Sequence, residues 1–548
     1  MFRPDTDLYL LKCPLEMDNN NQLTFANATA QYNYFSSLPK IEIDANTYQR
    51  KDSTVRFAGN IENLYGYNYC MYRNHNYSNK WFYAFITDMT WANEEMTLVS
   101  LKTDVWQTWC FDLSFKKCFV EREHVNDDTV GAHTIPENLE LGEYICNSKV
   151  TLANIHQKRT NDVTTAIAVF QLTTTTLNAN NGTALPSATY CVHGGIPQGC
   201  YIIGVPLDDN QSLVKLSSII GMYDGAGKGD AIVALFIMPY KSNQWTTDYG
   251  TGSLSQTLFY IPKDSWESYV YESYTGALPS TLNGYTPKNK KMFVYPYNYM
   301  YITNNAGGDV IYHYEDFANN EPKFNIYATL EQGGGMFLKP TNSKVSDTAT
   351  TNGEGWSEGL PSAKLPILSW ASDYYLNWKA VNASNIRIQT ITSALKWGSN
   401  ALGTMMGSTA PNTYSNQNLG ADVANILQTI KEAKLTPPQA KGNLNSGDVC
   451  YASDEVKYVV RNMCVRAEYA QIIDNYFSAF GYRVNSFKIP NITGRTNWNY
   501  VKTVGCNVEG NVPQNDIEEI KRMFDSGITL WHKTAYYLDY SQNNTIVS

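Results

Sequence analysis

A chain of 548 residues exceeds what one hydrophobic core serves, so three to four domains are expected. Hydrophobic residues make up 43% and charged residues only 17%, with a net charge of −9 and no long run of Lys or Arg. This is a folded, weakly charged composition that excludes a firm grip on nucleic acid, because phosphate contacts need a basic footprint.

Residues 1–145 read as an N-terminal antiparallel β domain. Strands are predicted at Asp7–Lys12, Leu23–Phe25, Thr54–Phe57, Tyr67–Tyr72, Trp81–Trp91, Met96–Trp106 and Phe115–Glu121, with a short helix over Ala28–Ser37. Trp81–Trp91 and Met96–Trp106 form one long hairpin around a polar Ala92-Asn93-Glu94-Glu95 turn, with arms that project from a barrel or line one. Residues 146–290 read as a β-rich domain with one helix. Its strands are Val163–Leu172, Tyr190–Cys191, Cys200–Val205 and Ala231–Met238, and its amphipathic helix is Leu213–Tyr223. A third β-rich domain, 291–378, carries strands at Met292–Tyr295, Met300–Thr303, Val310–His313, Lys323–Leu330 and Met336–Lys339, and a Gly- and Ser-rich loop over 340–362.

Strand alternation stops over 379–447. Val381–Met406 has helical potential, no residue between Lys396 and Asp422 is charged, and a second helix over Asp422–Lys434 is stopped by Thr436-Pro-Pro438. Residues 448–548 return to α+β. A strand over Glu455–Val465 is followed by a helix over Ala467–Phe480, with Tyr469, Ile472, Ile473, Tyr476, Phe477 and Phe480 as its buried stripe and Gly481 as its stop. Strands over Tyr482–Lys488 and Tyr500–Val508 precede a helix over Ile517–Phe524 capped by Asn515 or Asp516. The class is mainly β with some α, α+β and multidomain. No stretch of about 20 apolar residues marks an ordinary transmembrane helix, and the first residues lack a secretory pattern.

No constellation demands chemistry. The ten cysteines form no Cys-x-x-Cys pair and no His stands at zinc-finger spacing, so free buried thiols, no metal and no cofactor are expected. Glu121-Arg122-Glu123-His124 is the most enzyme-like cluster. On a strand its neighbours point to opposite faces, and it reads as a salt-bridge ladder between strands or subunits. Gly355-Trp-Ser-Glu-Gly359 has the letters of a nucleophile elbow but lacks the strand before and the helix after, so it reads as a loop, and Gln332–Met336 reads as a flexible turn. No catalytic residue is assigned. In 379–447, Ile391, Leu395, Trp397, Leu402, Met405 and Met406 are apolar or interfacial, beside small residues that let helices pack closely. That segment is either an insertion on the β scaffold or one that enters a lipid headgroup region as part of an assembly.

Lys80–Phe85, Asp104-Val-Trp-Gln-Thr-Trp109 and Arg122-Glu-His124 resemble the N-terminal part of the tail knob, or distal tail tube, proteins of small short-tailed phages (podoviruses of the Picovirinae type). Gly481–Asn491, Asn499–Thr503 and Phe524–His532 resemble the end of the same family, in the same order. The resemblance implies β-barrel-like tube domains assembled into a homohexameric ring, with Trp81, Phe82, Tyr83, Trp106, Trp109, Arg122 and His124 as its tube and interface motif. It implies that 379–447 is a lumen-plugging, membrane-active loop, shorter and less hydrophobic here than in the family, and that 448–548 completes the tube domains. Implied partners are further copies of the chain, adjoining tail and collar proteins, phage double-stranded DNA in transit, and the host membrane or envelope. The implied place is the distal end of the virion tail, after synthesis in the host cytoplasm. Two other classes stay open: an adsorption protein binding cell-wall polysaccharide, and a wall-degrading hydrolase.

Overall fold

The computed structural model describes residues 6–46, 48–76, 79–153, 165–173, 190–193, 196–206, 232–241, 245–246, 261–262, 268–305, 307–329, 335–344, 360–365, 368–371 and 457–547. The expected helix Leu213–Tyr223, the turn at 332, the Gly355–Gly359 motif and the whole of 379–447 lie outside them. The chain is mostly β with few helices and falls into two compact units. One comprises Met1–Gly142, Gly284–Met292 and Arg466–Ser548, and the other Glu143–Asn283 and Phe293–Val465.

In the first unit, β1 (Thr6–Leu11), β2 (Asn21–Leu23), β3 (Lys40–Asn46), β4 (Thr54–Ala58), β5 (Tyr69–Asn74), β6 (Trp81–Asn93), β7 (Met96–Thr103), β8 (Leu113–Phe115) and β9 (Cys118–Glu123) come from the N-terminal segment. The C-terminal segment supplies β10 (Tyr482–Lys488), β11 (Trp498–Val504), β12 (Val508–Gly510) and β13 (Ile528–Trp531). Four helices accompany them: α1 (Ala28–Ser37), α2 (Val105–Trp109), α3 (Ala467–Phe480) and α4 (Gln514–Ser526). A six-stranded sheet runs β3-β1-β5-β6-β7-β4, and a five-stranded sheet runs β2-β13-β11-β9-β10. The second sheet interleaves strands from both ends of the chain, and its β2–β13 pair is parallel.

The six-stranded sheet is buried on both faces, which is why its central strands read as unbroken apolar runs. β1 sends Tyr9 and Leu11 to one face, with Tyr69, Met71, Tyr83 and Phe85, where they meet Phe35 of α1 and Trp498 and Trp531 of the other sheet. It sends Leu8 and Leu10 to the opposite face, with Cys70, Tyr72, Phe82, Ala84, Val99 and Leu101. α1 forms where expected, because the Asn27 side chain caps it by accepting from the Ala30 N–H at 2.9 Å.

Several expectations are corrected. The second hairpin arm ends at Thr103, since Asp104 caps α2 and turns Val105–Trp109 into helix. Phe115–Glu121 is two strands broken at Lys116-Lys117, and Tyr500–Val508 likewise divides into β11 and β12. Met292–Tyr295 is not a strand. Lys290–Phe293 is a 3-10 turn, with the Met292 N–H donating to Asn289 O. α3 buries Ile473 and Phe477 and half-buries Tyr469, Tyr476 and Phe480 as expected, but Ile472 is 66% exposed, and Asp474 is buried in addition because it accepts from the Lys288 and Asn289 N–H groups and the Tyr285 hydroxyl. α4 begins at Gln514, straight after Pro513, and the Asp516 side chain is engaged elsewhere instead of capping it. β3 was not anticipated, because its Lys, Glu and Asp mask the strand signal of Ile41 and Ile43.

In the second unit, Tyr144–Leu152, Tyr458–Val465, Asn298–Thr303 and Asp309–Tyr312 form one antiparallel sheet in that order. Ser268–Thr275, Lys323–Thr329, Met336–Pro340 and Ala363–Leu365 form another. The Tyr458 hydroxyl, fully buried, stands 3.1 Å from Met336 O and 2.9 Å from Ala363 O, tying the two sheets together. Backbone pairing also joins Tyr190–His193, Ile196–Pro206, Thr165–Thr173, Ile232–Lys241 and Leu368–Ala371 into a five-stranded sheet.

Trp531 is wholly buried, donates its indole N–H to Asn21 Oδ1 at 3.1 Å and packs on Trp498 at 5.1 Å. Trp531→Ala is expected to destabilise the first unit by about 3–5 kcal/mol, read as a lowered urea midpoint.

Candidate functional site

The aromatic residues that the family resemblance singled out are gathered in the first unit by the hairpin and the helical turn after it. Trp81 is half-buried between Tyr9 and Tyr32, each with ring centroids at 5.3 Å, and carries the Arg73 guanidinium over its face at 4.8 Å. Phe82 stacks on Tyr72 at 5.4 Å, and Tyr83, from the opposite face of the same strand, packs on Phe35 at 4.8 Å. Asp104 then sets the helical turn by accepting from the Gln107 N–H at 3.1 Å and from the Tyr69 hydroxyl at 2.9 Å. The turn sends Trp106 against Phe524 of α4 at 5.6 Å, with its indole N–H on Leu23 O at 3.1 Å. It sends Trp109 toward Asp516 of α4, to which its indole donates at 2.8 Å, while the Lys80 ammonium sits 3.9 Å above its ring. Asp516 also pairs with Lys51. The motif thus joins the N-terminal sheet to the C-terminal helix.

Arg122 and His124 serve the second sheet. Arg122 pairs with Glu137, donates to Gly481 O at 2.7 Å and lies over the Tyr476 ring at 4.9 Å. Glu137 also accepts from Lys291 Nζ at 2.7 Å and from the Arg483 N–H at 2.8 Å. Glu123 and Glu121, which flank Arg122 on its strand, pair with Lys488 and Lys502. His124 is buried, with both ring nitrogens engaged. Nδ1 accepts from the Tyr500 N–H at 2.8 Å, which leaves Nε2 to donate to Ser478 O at 3.1 Å. A ring so fixed has no free nitrogen for acid–base work. Phe82, Tyr83, Trp106, Arg122 and His124 are all buried, so they reach a neighbouring surface only through the frame they hold.

The electrostatics follow from burial. Burial alone would raise the Glu137 carboxyl, but Lys291 and Arg122 outweigh it and hold it below the usual range. Burial pushes His124 down to about 3, helped by the Arg495 and Arg122 charges, and His532 down to about 4. Burial raises Asp104 to about 6 against its hydrogen bonds from Gln107 and Tyr69. No group of three or more His, Cys, Asp or Glu among the described residues is placed to hold a metal, and no described helix is long and apolar enough to cross a membrane.

Three apolar surfaces stand out among the described residues. β6 pairs with β5 only over Trp81–Phe85, so its outer edge beyond Ile86 has no strand partner among the described residues, and Trp91 near its tip is 57% exposed. On the five-stranded sheet, Phe487 of β10, Phe119 of β9 and Val504 of β11 lie in register, exposed by 70%, 39% and 56%. On the second unit, Tyr144, Tyr299, Tyr295 and His313 form a contiguous row with ring centroids at 5.2, 5.9 and 4.2 Å. The sequence hinted at such surfaces only through its aromatic content, because which side of a strand is covered depends on the neighbouring sheet.

Comparison with known proteins places this geometry. Residues 262–545 match the family model of the C-terminal domain of Bacillus phage phi29 tail knob protein gp9, and residues 5–114 match the N-terminus of caudoviral major tail proteins. The chain is 26% identical to the tail knob proteins gp9 of Bacillus phages PZA and phi29, over 98% of this chain and 98% of each relative. Its fold is similar to that of the bacteriophage C1 tail knob protein gp12, with a TM-score of 0.61 and 15% identity over 99% of this chain and all of that one.

Asp104→Ala removes the α2 cap and strips the buried Tyr69 hydroxyl of its acceptor. It should cost about 2–4 kcal/mol in chemical denaturation, whereas Asp104→Asn, whose Oδ1 keeps the cap and whose amide loses only the acceptor for the Tyr69 hydroxyl, should cost less. Acid should act through His124. Unfolded, it takes up a proton below about pH 6.5, and folded, it stays neutral to about 3. Stability present above pH 6.5 is therefore lost on acidification, by about 1.4 kcal/mol per pH unit for that proton. Asp104, raised when folded, works oppositely and gains stability as pH falls through 6. Between pH 6.5 and 4, the urea midpoint of His124→Gln should fall less steeply than that of the wild type, and parallel slopes would refute the assignment.

Proposed function

As the chain belongs to the family of the phi29 tail knob protein gp9, we propose that six copies close into a tube at the distal end of a short phage tail and conduct double-stranded DNA into the host. It is a structural tail protein, not an enzyme. The observation that carries the conduit reading is the first unit itself. It leaves β3, β4 and β10 as sheet edges without a further strand partner among the described residues, and an apolar row exposed, features that ring closure would cover. The net charge of −9, without a polybasic run, suits a wall that a polyanion passes without being held.

Segment 379–447 is the proposed plug. Its charge-free stretch after Lys396, with Ile391, Leu395, Trp397, Leu402, Met405 and Met406, fits a loop that closes the lumen and meets the host membrane when released. Its Asn400, Ser408 and Asn412 make lone insertion costly, so it acts with its copies. The tube joins adjoining tail and collar proteins and touches DNA without reading its sequence. The seven free cysteines among the described residues fit assembly in a reducing host cytoplasm.

Electron-microscope class averages of the purified protein test this. A six-fold ring with a hole of roughly 20 Å or more, wide enough for a helix whose major groove alone spans about 12 Å, is expected, with density across the hole that deletion of residues 390–440 removes. A three-fold spike or a stable particle without a hole would overturn it.

A further inference from the structure

We infer that the hairpin tip of one copy docks on the exposed apolar row at the end of the five-stranded sheet of the next copy. This inference rests on the ring reading above and supplies its contact. The tip runs past the last residue that β5 supports, so its β6 edge has no strand partner among the described residues, and Trp91 is exposed. It carries three exposed carboxylates, Asp88, Glu94 and Glu95, and none of them has a cation partner among the described residues. Such a ribbon gains little from its own chain at its end.

The sheet face is its complement. Phe487, Phe119 and Val504 form one apolar row across three adjacent strands, about 10 Å wide at the usual strand spacing. One indole covers much of such a row. Lys117, two residues before Phe119 and exposed, has no carboxylate partner among the described residues, and Lys502 on the same face shares its charge with Glu121. Apolar meets apolar and acid meets base between two patches of one chain. Every copy therefore brings the partner that its neighbour needs, in equal number. Because the patches differ, the contact is head-to-tail, the kind that closes into a ring when the rotation per copy divides a full turn. The pairing also gives the acidic tip a reason to be acidic: like charge on neighbouring tips keeps tip-to-tip contacts from competing.

The test uses the full chain, with ring fraction measured by class averaging and sedimentation at one concentration. Glu94→Lys with Glu95→Lys changes only an exposed turn, and Phe487→Ser changes a residue 70% exposed, so neither should unfold the protein, as unchanged circular dichroism would verify. Each is expected to lower the ring fraction at least tenfold, and Lys117→Glu added to the Glu94→Lys/Glu95→Lys variant is expected to recover part of it. Rings at wild-type level in all variants would overturn the docking and leave the tube standing. Normal rings that no longer join the tail would overturn it in favour of another tail protein on that face. Absence of rings in the wild type would overturn the tube and the docking together.

Discussion

One buried carboxylate holds the first unit in a single piece. Glu137 reaches Arg122 of the N-terminal segment, Lys291 of the short middle segment and the Arg483 N–H of the C-terminal segment. Both of its ion partners are themselves buried, so no water competes for the charge. The interaction is costly to build, because three ions leave water, and costlier to break, because removing one member strands the others at about 3–5 kcal/mol. Apolar packing alone would join the same segments in many ways. The planar guanidinium of Arg122, committed also to Gly481 O, admits few.

Around that point the unit repeats one device, a side chain from one segment spending its hydrogen bonds on the backbone of another. Asp474 closes the N–H groups of Lys288 and Asn289, and His124 joins Tyr500 to Ser478. The aromatic clusters supply the bulk of the burial, while these polar ties set the register. That division explains why the chain tolerates so many Tyr and Trp residues without losing a unique arrangement.

Much of this was legible in the sequence, and the misses have physical causes. The hairpin showed in its aromatic and β-branched arms, and α1 in its capped span, because local propensity and final environment agree there. Val105 and Trp106 looked like the end of a strand because Val and Trp favour one. A single capping carboxylate overrode them once Trp106 and Trp109 found partners at the far end of the chain. Ile472 looked buried because it is apolar and in phase, yet Asp474 claims the inward face through bonds to a segment far away in sequence. Glu121–His124 was read as a ladder, and its pairings with Lys502, Glu137 and Lys488 lie within one chain. The exposed row of Phe487, Phe119 and Val504 was invisible, since strand order decides which faces remain uncovered.

The interleaving of chain ends imposes a timetable on synthesis. Trp109 waits 407 residues for Asp516, roughly 20–80 s at about 5–20 residues per second on the ribosome. Throughout that interval the face of the six-stranded sheet that Trp498 and Trp531 will cover is bare, a surface for chaperones or for aggregation. The five-stranded sheet is complete only once β13 has emerged, because β13 bridges β2 to β11.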